Sequence, residues 1–148
     1  MEQENRLRKG AHTTYELWYH FVWIPKYRKA VLTGLVAERA REILTELCRK
    51  YGYDPDRLAV EPDHVHTFLS APPRCSPASI ARNRKGPSGQ QLFAEFPHLR
   101  EELRKGKFWG RGYFVSTVSD GRLTVAIRAY LDRQDRPRQA SGQLRLPF

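Results

Sequence analysis

The chain has 148 residues, of which 40% are hydrophobic and 11% aromatic, and it carries 26 Lys and Arg against 16 Asp and Glu. This length and apolar content predict one folded domain with its own core and exclude a disordered chain. The formal net charge of +10 favours a polyanionic partner such as nucleic acid. No apolar run approaches the roughly 20 residues that cross a bilayer, so we expect a cytoplasmic protein without a membrane partner.

The first half of the chain predicts a strand, a helix and a hairpin. Residues 15–23 alternate between two faces and end at Pro25, which is typical of a central strand. Apolar positions from Gly34 to Tyr51 recur at helical spacing, and Gly52 is a stop signal. Alternation on both sides of Pro62-Asp63 predicts two short strands joined by a tight turn.

The second half predicts two helices separated by a loop and a strand. Residues 78–96 are expected to be helical in one or two pieces, with a break at Gly86-Pro87 or at Gly89. A loop over 105–111, a strand over 113–118 and a helix over 123–134 follow.

The order β-α-β-β-α-β-α is that of the ferredoxin-like or RRM-like split βαβ arrangement, an α+β fold. It predicts a four-stranded antiparallel sheet with helices on one face and an additional C-terminal helix. We expect residues 12–134 to form this single domain and residues 135–148 to be a flexible basic tail.

Four residues are candidates for a catalytic metal site. His64 and His66 alternate in a predicted strand and share one face, so their imidazoles can converge on one divalent ion; two polar residues on a sheet surface are the alternative. Tyr130 and Gln134 lie one helical turn apart, although a tyrosine there also suits core packing. An ion held by His, His and Gln beside a phenol would suit transesterification of a DNA phosphodiester, because a phenol of pKa about 10 is a weak nucleophile at neutral pH.

Basic and aromatic residues are interleaved in a way that predicts a surface for single-stranded nucleic acid, since cations bind phosphates and exposed rings stack on bases. A solvated basic rim around core aromatics is the alternative for each of them. The predicted DNA contacts are Lys26, Tyr27, Arg28, Lys29, Arg82, Arg84, Lys85, Phe108, Trp109 and Arg111, with Lys105 and Lys107 in the same loop.

Five blocks, in order, resemble the single-tyrosine HUH-superfamily transposases of bacterial insertion sequences, a TnpA-like group that includes the REP-associated tyrosine transposases. The blocks are residues 19–28 (YHFVWIPKYR), 62–66 (PDHVH), Lys85-Gly86 with Ser88, Phe108-Trp109, and 113–118 (YFVSTV) leading to Tyr130-Leu131 and Gln134. The resemblance spans about residues 19–134. Departures from the family pattern fall at Pro87, Thr67-Phe68 and Ser119-Asp120.

The resemblance implies that His64 and His66 ligate Mg²⁺ or Mn²⁺, that Gln134 is the third ligand, and that Tyr130 is the nucleophile. It implies no nucleotide cofactor, because the 5′-phosphotyrosine keeps the energy of the broken bond. It also implies a homodimer joined by sheet edges, with the site assembled in cis or in trans. The implied substrate is single-stranded DNA with hairpins, cut and rejoined at insertion-sequence ends.

Two other functions remain open at the level of sequence. One is a non-catalytic module that binds hairpins or single strands on an RRM-like sheet, and the other is a domesticated nickase that acts on repetitive hairpins. The joint presence of two histidines, a tyrosine and a glutamine favours an enzyme over the binding module, which has no reason to keep all four.

Overall fold

The computed structural model describes residues 6–117 and 121–134. The elements in chain order are β1 (Arg8–Lys9), β2 (Thr14–Tyr15), β3 (Trp18–Trp23), a 3₁₀ turn (Lys26–Arg28), α1 (Gly34–Tyr51), β4 (Asp54–Glu61), β5 (His64–Ser70), α2 (Pro77–Glu95), α3 (Leu99–Glu102), β6 (Phe114–Ser116) and α4 (Gly121–Asp132).

A four-stranded antiparallel sheet in the order β4-β5-β3-β6 forms the centre of the molecule. The α+β class, the antiparallel sheet and the central position of β3 are therefore confirmed. The strand predicted over 15–23 is divided, because Tyr15 pairs with Arg8 in the separate β1-β2 hairpin and the sheet strand begins only at Trp18. The predicted tight turn at Pro62-Asp63 joins β4 to β5 as expected.

The helices α1 and α2 pack over one face of the sheet. Phe21 and Trp23 alternate on β3 and Val65 and Leu69 alternate on β5, and all four are fully buried in one large cluster with apolar residues of both helices. The amphipathic pattern of α1 explains its placement, since its buried residues recur at helical spacing from Val36 to Cys48.

The opposite face of the same sheet is covered by α4. Val22 and Ile24, which alternate with Phe21 and Trp23, pack against Leu123, Ile127 and Tyr130 of this helix. The sheet thus has two long helices on one side and the C-terminal helix on the other, and the two faces bury separate clusters.

Three details differ from the sequence-based expectations. The helix α2 is continuous, so the predicted break at Gly86-Pro87 or Gly89 is wrong. Pro87 lacks an N–H and removes one helical hydrogen bond, but Ile80 and Leu92 are buried on either side of it and hold the helix on the core. The short helix α3 was not predicted, and β6 ends at Ser116.

Some expectations lie outside the described residues. These are the strand end at Val118, the departure at Ser119-Asp120 and the flexible tail over 135–148. Within the described residues, no helix is long and apolar enough to span a membrane.

Candidate functional site

The two predicted metal ligands lie on the sheet face that α4 covers. His64 and His66 are both buried on β5, at 4% and 0% exposure, and His66 is directly opposite Val22 of β3. Because Val22 packs against α4, the register puts the histidine pair and this helix on the same side of the sheet. The alternative of two partly exposed polar residues does not fit this burial.

Asp63 fixes the orientation of the His64 imidazole. The Nδ1–H of His64 donates to Oδ1 of Asp63 at 2.9 Å, so the neutral ring presents Nε2 as its lone-pair nitrogen. This Nε2 atom is buried and has no hydrogen-bond partner among the described residues. Burial raises the pKa of Asp63, but the hydrogen bond from His64 and the charge of Arg28 outweigh it, and the net pKa lies below the usual range.

A third histidine, not predicted from the sequence, contacts this pair. The Nδ1 atom of His20 on β3 lies 3.1 Å from Nε2 of His66, and its ring stacks on Phe68 with a centroid separation of 4.3 Å. Burial lowers the pKa of His66 to about 3 and that of His20 to about 4, so both imidazoles are neutral at pH 7. Neutral imidazoles are the form that binds metal ions.

Tyr130 is held in the core on the inner side of α4. It is 8% exposed and its ring centroid lies 6.0 Å from that of Phe114 on β6. Its hydroxyl has no hydrogen-bond partner among the residues that the structure describes, and burial raises the pKa of this phenol to about 12. A buried hydroxyl without a partner costs the fold stability.

The predicted helix over 123–134 ends earlier, at Asp132, so Gln134 lies two residues beyond α4. Its Nε2 donates to the Tyr130 carbonyl oxygen at 3.1 Å. In residues 6–117 and 121–134, no group of three or more His, Cys, Asp and Glu side chains could hold a metal. A site here would therefore need the two imidazoles and an oxygen ligand of another type. The unpartnered Nε2 of His64, the neutral His66 and the amide oxygen of Gln134 have the chemistry of ligands for a divalent ion.

Arg28 belongs to the same network and not to the surface. Its Nε donates to Oδ2 of Asp63 at 2.9 Å and its Nη1 donates to the Leu131 carbonyl oxygen at 2.8 Å. The residue is 5% exposed, so its side chain does not lie on the surface where the DNA contact was predicted. The chain turns its side chain inward through two successive left-handed residues, Tyr27 at φ 62° and Arg28 at φ 52°.

A basic cleft of about 790 Å³ lies between α2 and the loop over 105–113. Lys85 of α2 ties the helix to this loop, because its Nζ donates to the carbonyl oxygens of Gly110 and Gly112, at 2.8 and 2.6 Å. None of the described residues that line the cleft is acidic. The cations at its wall are Lys26, Arg82, Lys85, Arg100, Lys107 and Arg111.

Three other predicted DNA contacts are buried. Phe108 and Trp109 are 1% and 5% exposed and belong to the main core, so neither ring lies on the surface where stacking of bases was predicted. Trp109 is fixed by its Nε1, which donates to Ser88 Oγ at 2.9 Å. The sequence pattern was misleading because aromatic residues beside basic ones also occur where a loop closes over a core.

Arg84 is the third of these buried residues. It is 1% exposed, donates from Nη1 to Thr67 Oγ1 at 2.9 Å, and lies over the Trp23 ring at 5.4 Å. Thr67, one of the departures from the family pattern, thus accepts a hydrogen bond from a buried guanidinium.

The remaining predicted contacts do reach the surface. Arg82 and Arg111 are exposed, and Tyr27 is 37% exposed with the ammonium of Lys26 at 5.4 Å from its ring. Lys29 is half-buried and its Nζ donates to the carbonyl oxygen of Glu102 at 2.7 Å.

Sequence reasoning missed His20, Asp63 and Arg100 as members of these sites. His20 shares a predicted strand face with Val22, but only the pairing of β3 with β5 brings it to His66. Asp63 immediately precedes His64 in the turn, which is a signal that a carboxylate orients the imidazole.

Comparison with known proteins identifies the family of this chain. A family model described as "Transposase IS200 like" matches residues 13–134. The chain is 35% identical to the ISDra2 transposase TnpA of Deinococcus radiodurans over 128 residues, which covers 86% of this chain and 91% of the relative. It is 33% identical to the transposase for insertion sequence element IS200 of Salmonella typhimurium over 138 residues, covering 93% of this chain and 90% of that one.

The fold is also that of a solved structure from Deinococcus radiodurans R1. The superposition has a TM-score of 0.82 at 34% identity, and it covers 88% of this chain and 99% of the other. The chain therefore belongs to the IS200-like transposase family. Members of this family are transposases, so its activity is the cleavage and transfer of DNA strands in transposition.

Proposed function

We propose that this protein cuts and rejoins single-stranded DNA at insertion-sequence ends through a covalent bond to Tyr130. The observation that carries the proposal is the burial, on one sheet face, of two unpartnered groups among the described residues: Nε2 of His64 and the hydroxyl of Tyr130. A binding module gains nothing from burying polar groups in this way.

In the proposed reaction the oxygen of Tyr130 attacks a DNA phosphorus. The bond from this oxygen to phosphorus forms, the bond from phosphorus to the 3′ oxygen breaks, and the phenolic proton is balanced by a proton on the released 3′-OH. The phenol needs help, because at a pKa of about 12 only about one molecule in 100,000 is ionised at pH 7.

His64, His66 and Gln134 would hold Mg²⁺ or Mn²⁺, which supplies Lewis acidity at the scissile phosphate when bound. Asp63 orients the His64 ring so that its Nε2 is free to bind a metal, and burial keeps His66 in the neutral form that binds metal ions. The Nε2 of His66 contacts His20 Nδ1, so His66 would have to give up this contact to bind an ion through Nε2. The joined strand needs no nucleotide cofactor, because rejoining to a 3′-OH reverses the first step.

The basic cleft is the proposed DNA path. Its cations lie between α2 and the loop over 105–113, with Arg82 and Arg111 exposed at its rim. They would bind phosphates of a hairpin stem or of the strand that leads to the cleavage site. We further propose a homodimer through the outer strands β4 and β6, since both are edges of the sheet.

The first test is a denaturing gel of the purified protein with end-labelled single strands from the DNA that flanks its gene, with Mg²⁺ or Mn²⁺. We expect a slow protein–DNA adduct with the wild type and none with Tyr130→Phe, which removes only the attacking oxygen. This variant should bind the same DNA and melt at the same or a higher temperature, because the hydroxyl lost had no partner among the described residues.

The histidines are tested in the same assay. His64→Ala and His66→Ala should each lose the adduct, and added Mn²⁺ should restore it poorly. Hairpin binding by the wild type without any adduct would instead support the binding module, and full cleavage by either histidine variant would contradict the metal site. Cleavage at repeated hairpins that does not join element ends would indicate the nickase.

A further inference from the structure

One guanidinium group joins the helix that carries Tyr130 to the carboxylate that orients His64. The Nε of Arg28 donates to Oδ2 of Asp63 at 2.9 Å, while Oδ1 of the same carboxylate accepts from His64 Nδ1 at 2.9 Å. The Nη1 of Arg28 donates to the carbonyl oxygen of Leu131 at 2.8 Å. Leu131 immediately follows Tyr130, so two hydrogen bonds of one side chain connect the nucleophile's helix with a metal ligand.

The contact at Leu131 lies at the C-terminal end of α4, where helix carbonyl oxygens lack partners within the helix and carry the negative end of the dipole. A buried cation that donates there stabilises the last turn. The same cation is paired with the Asp63 carboxylate, whose side chain is 23% exposed against 6% for Arg28. Both ends of the bridge are therefore held by charge-assisted hydrogen bonds.

The backbone also shows that this inward position is specified. Tyr27 and Arg28 both adopt positive φ, at 62° and 52°, a region that residues other than glycine seldom occupy. Such conformations persist where the surrounding contacts require them and are found at functional sites. Here the consequence of the turn is that Arg28 points away from solvent and into the space between β5 and α4.

We propose that Arg28 is a positioning residue that couples the placement of Tyr130 to the orientation of His64. The guanidinium is suited to this because it is planar and offers separate N–H donors in a fixed fork, one for the carboxylate and one for the helix carbonyl. A lysine keeps the charge but has one donor atom, so it cannot hold both contacts with the same geometry. The coupling rests on the proposed function, because linking Tyr130 to His64 matters only if these two residues act in the same reaction.

Two measurements on the protein without DNA test the coupling. The first is hydrogen exchange of the α4 amides in the metal-free protein, and the second is the dissociation constant for Mn²⁺ alone. We expect Arg28→Lys to speed exchange of the amides near the C-terminal end of α4 by about tenfold and to weaken Mn²⁺ binding by about tenfold, the lower end of what loss of a partner of a metal ligand causes. Asp63→Asn should produce both changes as well, although it leaves Arg28 in place.

The matched control is Arg39→Lys. Arg39 also bridges two elements, donating to Glu42 on α1 and to Glu95 on α2 at 2.8 and 2.6 Å, but it is remote from the sheet face that α4 covers. In this variant the exchange of α4 amides and the Mn²⁺ affinity should equal those of the wild type. The double variant Arg28→Lys with Asp63→Asn should be no worse than either single variant, because both break one bridge.

The outcomes separate the two proposals. Parallel loss in both measurements with no additivity supports the coupling. A loss in only one of the two measurements overturns the coupling, and so do additive losses in the double variant. The coupling is also overturned if Arg28→Lys leaves both measurements unchanged but loses the DNA adduct, which would assign Arg28 to DNA binding. If Arg28→Lys does not fold, unchanged α4 exchange in Asp63→Asn overturns it. Absence of an adduct in the wild type would contradict the strand transferase but not the hydrogen bonds of Arg28.

Discussion

The two faces of the sheet bury polar groups in different ways. Under α1 and α2 the buried guanidinium of Arg84 donates from two nitrogens to Thr67 and to the Leu44 carbonyl oxygen and lies over the Trp23 ring, while its Nε and the Trp23 Nε1 have no partner among the described residues. Under α4 the buried groups are imidazoles and a phenol, and the His64 Nε2 and Tyr130 hydroxyl have no hydrogen-bond partner among the described residues.

The difference is one of role within a single sheet. A polar group that is buried with partners stabilises or specifies the fold, whereas one that is buried without them costs stability. Unpartnered polar atoms occur under both faces, but under α4 they belong to an imidazole and a phenol, which can act as a metal ligand and as a nucleophile. β3 shows this at consecutive positions: Phe21 points to the larger apolar cluster and Val22 to the face of the histidines. The face under α4 thus carries the residues of the proposed site, and the other face buries the larger apolar cluster.

The largest effect should follow from breaking the apolar face. Phe21→Ala removes a fully buried ring from the main cluster and should lower the free energy of unfolding by about 4 kcal/mol. Val22→Ala, on the neighbouring position of the same strand, should lower it by about 2 kcal/mol, because less volume is lost and α4 can settle onto the gap. Urea denaturation of the metal-free protein measures both, and equal losses would remove the distinction between the faces.

Acidification should affect the histidine face selectively. The folded-state pKa values of His66 and His20, about 3 and about 4, lie below the unfolded value of 6.5, so below pH 6.5 the unfolded chain binds more protons. The stability due to the neutral rings is complete above that pH and is lost as the pH falls toward 4. We expect a loss of roughly 2 kcal/mol per histidine between pH 7 and pH 5, before carboxylates titrate.

Urea denaturation at pH 7, 6 and 5 in the presence of a chelator measures this loss. His66→Leu is the companion variant: it removes one of the two rings, so its stability should depend about half as strongly on pH in this window. An equally steep pH dependence in the variant would show that other groups cause it.

The smallest effect concerns the basic cleft. Arg111→Ala at its rim should weaken binding of a DNA hairpin by less than about tenfold at roughly 100 mM salt and should reduce the slope of log Kd against log salt by about one. Arg49→Ala, an exposed arginine on α1, is the control and should leave the slope unchanged. A slope that falls equally in both variants would make the attraction a property of net charge and not of the cleft.

Much of this arrangement is encoded in local patterns. Alternation on β5 alone indicates that His64 and His66 share a face and that Val65 is in the core. Helical spacing predicts that Tyr130 and Gln134 share one helix face, but α4 ends at Asp132 and Gln134 lies beyond it. The hairpin at Pro62-Asp63 follows from its turn residues. These features depend on neighbours in sequence, where steric and hydrogen-bonding rules act.

Long-range placement was harder to predict. Arg28, Arg84 and Trp109 lie in basic or aromatic stretches that are typical of a surface, but each is drawn inward by a partner 17 to 103 residues away. The break expected at Pro87 did not form, because packing on both sides of a single lost hydrogen bond outweighs the loss. The contact of His20 with His66 needs the register of β3 and β5, which no local pattern specifies.

The glycine at position 89 limits how the cleft can be re-engineered. A methyl group added there would approach Phe108 Cβ to 3.1 Å and the Trp109 ring to 3.3 Å, so any larger residue pushes the 105–113 loop away from α2. A mutagenesis library intended to redirect this enzyme to new target sequences should therefore keep Gly89 constant and randomise outward-facing positions such as Arg82, Gln90 and Arg111. The DNA specificity should therefore be changed at the exposed residues around the cleft, while the contact between Gly89 and the 105–113 loop is kept.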